Sequence, residues 1–196
     1  MKRVCVYCGS GVGGRAEYAD AARSLGKVLA DRGLHLVFGG GRIGMMGVIA
    51  RTVLEHGGQV TGVIPKALHE MGLALTDVAD MRIVADMHER KALMAKLADA
   101  FIAMPGGFGT MEEILEILTW AQLGFHAKPA GLLNVAGYFD DLIRFVDHAT
   151  AQGFIDPAHR DLLLVDRTPD ALLARLASYK AARADKAQWA LRASLE

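Results

Sequence analysis

Short apolar runs alternate with stretches of helical periodicity along most of the chain. Arg3–Tyr7, Leu34–Phe38, Gln59–Ile64, Met81–Ala85, Ala100–Met104, Ala130–Leu133 and Leu162–Val165 read as strands. Between them, the pattern predicts helices near Ala16–Arg32, Met45–His56, Glu89–Leu97, Met111–Leu123, Phe139–Gln152 and Pro169–Lys180. Several of the strand candidates are continuously apolar, as expected when helices cover both faces of a sheet. Such alternation predicts an α/β architecture, a doubly wound parallel sheet. Ligands of such sheets sit beyond the carboxyl ends of the strands.

The 196 residues are expected to form one domain over 1–180, with a charged, Ala-rich tail at 181–196 whose pattern is compatible with an extra helix. Hydrophobic residues make up 52% and charged residues 22%, with zero net charge, which argues against disorder and against a nucleic-acid partner. No apolar run reaches the roughly 18 residues of a membrane span, and no basic-then-apolar leader opens the chain. A cytoplasmic protein with no membrane partner is expected. Cys5 and Cys8 form C-x-x-C in or just beyond the first strand. Residues three apart on a strand face opposite ways, so two separate buried or loop-lining thiols are expected rather than a disulfide or metal pair.

Three strand-to-helix turns are rich in glycine: Gly9–Gly14, Gly39–Gly44 and Pro105–Gly109. The second contains G-x-G-x-x-G, but the next strand ends Val63-Ile64-Pro65-Lys66, without the carboxylate that would hold a dinucleotide ribose. The third reads P-G-G-x-G-T-x-x-E and opens an apolar-periodic helix. Glycines bring backbone N–H groups close to a ligand, and a helix start adds unpaired N–H groups and partial positive charge, which together suit a phosphate. The three turns suggest one crevice for a nucleotide-like ligand, with Ser10, Gly40 and Gly41 on its rim. The plainer reading is that tight connections simply need glycine.

Asp86 and Glu89 have capping-box spacing, which starts a helix there and puts Arg90 and Lys91 in its first turns. Cations there oppose the helix dipole, and a nearby anion would resolve the conflict. Thr110 and Glu113 share the same spacing, so Glu113 is either a chemical group or a helix cap. Histidines occur without a metal-binding pattern, and neither a nucleophile elbow nor a P-loop lysine is present.

The segments Met87-His88-Glu89-Arg90-Lys91, Pro105–Glu113 and Gly39–Gly47, with Thr119–Gly124, make the chain resemble the Lonely Guy (LOG) family. The resemblance runs from about Val4 to Val165. It implies a Rossmann-like fold, usually a homodimer, that hydrolyses the N-glycosidic bond of N6-modified adenosine 5′-monophosphates, and generally AMP, without a metal or cofactor. Carried over motif by motif, Arg90 and Glu113 are catalytic. Lys91, Gly107, Phe108, Gly109, Thr110, Met111, Glu112 and Thr119 surround the nucleotide. The family also has a substrate-contacting glutamate between the third strand and the arginine motif; Pro65–Ala85 aligns poorly there, and Glu70 is its only glutamate.

Glycosidic cleavage passes through an oxocarbenium-like state that a carboxylate stabilises while activating water, which suits Glu113. Arg90 stays protonated and serves to orient rather than to donate. A rival reading is a non-enzymatic nucleotide or cofactor carrier, similar to molybdenum-cofactor carriers. That reading keeps the glycine loops but does not need Arg90 with Glu113. A pyridoxal-phosphate decarboxylase fits poorly, lacking an extra domain and an evident Schiff-base lysine.

Overall fold

A computed structural model describes residues 1–180; the expected tail lies outside the described residues. The strands are β1 (Arg3–Tyr7), β2 (His35–Phe38), β3 (Val60–Pro65), β4 (Asp80–Val84), β5 (Ala100–Ala103), β6 (Ala130–Leu133) and β7 (Leu163–Asp166). They form one sheet in the order β4-β3-β2-β1-β5-β6-β7, and every neighbouring pair is parallel. The expected doubly wound fold is present, with each sequence-read strand within a residue or two of its place. Strand order reverses between β1 and β5, which opens a crevice at their carboxyl ends.

The helices are α1 (Ala16–Asp31), α2 (Gly44–Glu55), α3 (Lys66–Glu70), α4 (Met87–Leu97), α5 (Phe108–Gln122), α6 (Asp140–Ala151), α7 (Pro157–Arg160) and α8 (Pro169–Ser178). Helices α3 and α7 were not legible in the sequence, because five and four residues are too few to show a helical period.

Alternate residues of the central strands feed two cores. Val4, Val6, Leu36, Phe38, Ala100 and Ile102 pack with Leu25, Leu29, Ile49 and Leu173 of α1, α2 and α8. Cys5, Tyr7, Val37, Phe101 and Ala103 point the other way, toward Met94, Ile114 and Ile117 of α4 and α5. Phe38 and Phe101 are fully buried, and each such side chain contributes on the order of 1.5–3 kcal/mol of transfer free energy. The two cysteines follow the same alternation: Cys5 sits in one core and Cys8 in the other, both as free thiols. Among the described residues, no helix is long and apolar enough to cross a membrane.

Candidate active site

The site is built where the loops after β1, β2 and β5 meet. Gly9 N–H donates to the Pro105 carbonyl at 3.0 Å, and Met45 N–H, in the first turn of α2, donates to the Gly9 carbonyl at 3.0 Å. These bonds close the three carboxyl-end loops around a cavity of about 500 Å³. Its polar wall includes Ser10, Arg90, Thr110, Glu112 and Glu113, together with backbone of Gly107, Phe108 and Gly109.

Helix α5 begins earlier than its apolar period suggests. Its N-cap is Gly107, in extended conformation and without a side-chain cap. The first helical residues are therefore Phe108, Gly109 and Thr110, and they line the cavity with their helix end uncapped. An uncapped N-terminus offers N–H donors and partial positive charge to an anion. This placement also corrects the capping-box reading of Thr110 and Glu113. Thr110 is the third helical residue rather than the cap, and Glu113 lies deeper in the helix with its carboxylate committed elsewhere.

That commitment is to Arg90. On α4, Asp86 accepts from Glu89 N–H at 2.9 Å, while the Glu89 carboxylate accepts from Ala85 N–H at 2.7 Å, so the expected capping box forms with its return arm one residue early. The start of the helix is thereby fixed and Arg90 turns inward. Its Nη1 donates to Glu113 Oε1 at 2.7 Å and its Nε to the Val63 carbonyl at 3.2 Å. The two side chains are only 9% and 7% exposed, so water screens the pair poorly. Burial pushes the Glu113 carboxyl above its ordinary value, and the Arg90 charge opposes that shift without cancelling it. A carboxylate held this way is poised to accept a proton nearer neutral pH than a surface glutamate.

The second cation is held differently. Lys91 Nζ pairs with Glu112 and lies 3.1 Å from Glu116, both on α5. Burial lowers the affinity of Lys91 for its proton, but the hydrogen bonds it donates to Glu112 and Glu116 outweigh this and the net shift is upward. The anion expected near the two misplaced cations is thus supplied, in part, by carboxylates of α5 itself.

Among the described residues, Lys91, Met111, Thr119, Gly40 and Glu70 do not line the cavity. Thr119 is exposed farther along α5, where its hydroxyl donates to the Leu115 carbonyl at 2.8 Å. Glu70 ends α3, exposed and 3.7 Å from Lys66. Gly40 sits behind the wall against Ile64, at φ +75°. His88 is exposed, as expected of a surface residue.

Sequence reasoning missed the apolar wall of the cavity: Ile43, Met46, Ile64, Leu68, Leu73 and Met87. Leu68 and Leu73 come from α3 and the turn after it, which Arg42 anchors by donating from its backbone N–H to Leu73 and from Nε to Gly72. Scattered single apolar residues carry no signal until the fold gathers them. Cys8 also faces the cavity, but burial pushes its thiol well above the usual range and keeps it neutral.

A family described as possible lysine decarboxylase matches residues 46–176. A probable cytokinin riboside 5′-monophosphate phosphoribohydrolase of Oryza sativa subsp. japonica is 52% identical over 177 residues, 90% of this chain and 79% of that protein. A cytokinin riboside 5′-monophosphate phosphoribohydrolase of Arabidopsis thaliana is 50% identical over 179 residues, 91% of this chain and 83% of its own. Among solved structures, the molybdenum cofactor binding protein from Rippkaea orientalis superposes with a TM-score of 0.70 at 20% identity, over 91% of this chain and 97% of that one. At that identity the likeness shows the fold alone. The extent of the match to the plant enzymes, about half identical over nine-tenths of the chain, leads to one conclusion: the chain belongs to the Lonely Guy (LOG) family.

Proposed function

We propose that the protein hydrolyses the N-glycosidic bond of adenosine 5′-monophosphates, N6-modified ones included, releasing the free base and ribose 5-phosphate. The observation that carries this reading is the buried Arg90–Glu113 pair facing a cavity that the uncapped start of α5 also lines. The relatives' activity joins it: proteins about half identical over nine-tenths of the chain are phosphoribohydrolases of cytokinin riboside 5′-monophosphates.

In this reading the 5′-phosphate rests on the N–H groups of Gly107, Phe108, Gly109 and Thr110. The base lies along Ile43, Met46, Ile64, Leu68, Leu73 and Met87, a surface suited to a purine and an apolar N6 group. Glu113 takes a proton from water as its oxygen attacks the anomeric carbon, and its charge stabilises the oxocarbenium-like state. The glycosidic electron pair leaves with the base. One water is consumed, and the base carries away one proton. Arg90 holds the Glu113 carboxylate in a single orientation and donates no proton.

Amine chemistry of the kind a lysine decarboxylase suggests finds no support at this cavity. Lys91, the lysine nearest the pair, is tied to two carboxylates and holds its proton more firmly than usual, the reverse of what a nucleophilic amine needs. The test is direct: purified protein is incubated with AMP and with N6-isopentenyladenosine monophosphate. Release of free base and ribose 5-phosphate is expected; tight binding of the nucleotide without cleavage would make the protein a carrier instead.

The same reading includes a homodimer in the cytoplasm. Leu115 on α5, Leu123 at its C-cap and Phe125 beyond it stay exposed, which suits a subunit contact. Two free thiols suit a reducing compartment. Sedimentation equilibrium at micromolar concentration reads the association; a monomer there would refute it.

A further inference from the structure

We infer that Gly39 is the positioning residue for Arg90: its missing side chain is the space in which the guanidinium lies when it grips Glu113. Gly39 opens the loop after β2, beside the cavity. A Cβ built there falls on Arg90 Nη2 and lies 3.0 Å from Arg90 Cζ and 3.1 Å from Met46 Sδ. The remaining sides of the guanidinium are fixed by Glu113 Oε1 and the Val63 carbonyl. A methyl at position 39 therefore displaces Arg90 from the one orientation that satisfies both bonds.

The geometry separates this glycine from its neighbours in the same loop. Gly40 and Gly44 have φ of +75° and +62°, which side chains resist whatever the space. A Cβ on Gly44 would also strike the Ser10 carbonyl. Gly39 is not among the positive-φ residues, so its backbone accepts alanine. The atoms in the way belong to the ends of two flexible side chains rather than to backbone. Substitution there moves Arg90 and leaves the fold standing.

The effect reaches Glu113 through charge as well as orientation. Around that carboxylate stand Arg90 and Lys91 on α4, Glu112 on α5, and Cys5, Tyr7 and Cys8 on and just after β1. Of these, Arg90 bonds it directly and favours its ionised form. Withdrawing the guanidinium leaves burial less opposed, so Glu113 holds its proton to higher pH.

The inference rests on the hydrolase reading, and the experiment keeps the two apart. Hydrolysis of AMP is followed in the wild type, Gly39→Ala, Arg90→Gln and the double variant across pH, with thermal melts for each. Gly39→Ala is expected to melt near the wild type and to lose about 100-fold in kcat with little change in KM, the scale of a misplaced catalytic group. Its acid limb should move to higher pH. In the Arg90→Gln background the same substitution should cost almost nothing more, because the group it displaces is gone. A Gly39→Ala enzyme with normal kcat and acid limb overturns the inference, as does an undiminished loss in the Arg90→Gln background. Full activity in Arg90→Gln overturns the hydrolase reading instead. If Arg90→Gln does not fold, the acid limb of Gly39→Ala alone decides.

Discussion

Two glycine-rich turns open helices onto the same cavity, and, apart from Gly106 packed against Gly9 and Thr110, they use glycine for opposite reasons. In the β2–α2 turn, the absent side chains make room for protein: Gly40 against Ile64, Gly44 against the Ser10 carbonyl, both at positive φ. The helix start there is engaged, since Met45 N–H donates to the β1 loop. In the β5–α5 turn, a Cβ on Gly107 or Gly109 would meet nothing within 4 Å, and neither residue has positive φ. No protein group and no backbone strain require glycine at those two places. What they leave free is the approach to an uncapped helix start, where the proposed reading seats the phosphate. The G-x-G-x-x-G signature thus marks the packed turn, and the less familiar motif marks the open one, where the proposed reaction is placed.

The comparison is sharpest at Glu113, which the open turn delivers. Glu113→Gln should lower kcat by about 10²–10⁴-fold, the usual worth of a general base, with nucleotide affinity nearly kept. Steady-state hydrolysis with a binding titration measures this, and near-normal turnover would leave the residue a structural partner of Arg90. Next comes Gly44→Ala in the packed turn, expected to cost about 1–3 kcal/mol of stability through strain and overlap. At roughly 2–4 °C per kcal/mol for a chain of this size, a melting curve resolves it. A smaller and opposite result is expected of Gly109→Ala: stability rises by about 0.5–1 kcal/mol, because alanine suits a helix. Its KM for AMP should rise by about tenfold, or about 1.4 kcal/mol, as the methyl crowds the phosphate. A Gly109→Ala protein that melts lower with unchanged KM would erase the contrast between the two turns.

The subtlest test is pH. Burial raises the Glu113 carboxyl above the ordinary glutamate value, so the acid limb of kcat/KM should lie above the usual carboxylate range. The stability linkage has a definite sign. A carboxyl with a raised folded-state pKa favours the native state most at low pH, and that contribution is lost as pH climbs through the raised value. Relative to the wild type, the Glu113→Gln protein should therefore gain in melting temperature over that climb. A difference independent of pH would mean the carboxyl titrates normally.

The sheet and its helices were largely legible because each strand has an apolar run and each long helix a period of its own. The glycine turns, Arg90 and Glu113 were legible because glycine and a charge in an apolar setting are local oddities. The start of α5 was misjudged since Phe108-Gly109-Thr110 has no apolar period, and with it went the capping-box alternative for Thr110 and Glu113. The apolar wall escaped notice because Leu68 and Leu73 belong to a five-residue helix and its turn, inside a stretch that matches no motif. Gly39 could not be separated from Gly40 in the sequence. Only an arginine arriving from helix α4 gives the two glycines different work.

That arrival has a metric consequence. Helix α4 leaves the outermost strand, β4, and must regain the sheet at β5, four strand spacings away, or roughly 19 Å. Its eleven residues, about 16 Å long, must at the same time return the chain from the carboxyl to the amino ends of the parallel strands. Inserting or deleting one residue between Asp86 and Asp99 would turn Arg90 by about 100° around the axis or force the crossing out of step. The segment is a ruler whose length the site cannot renegotiate.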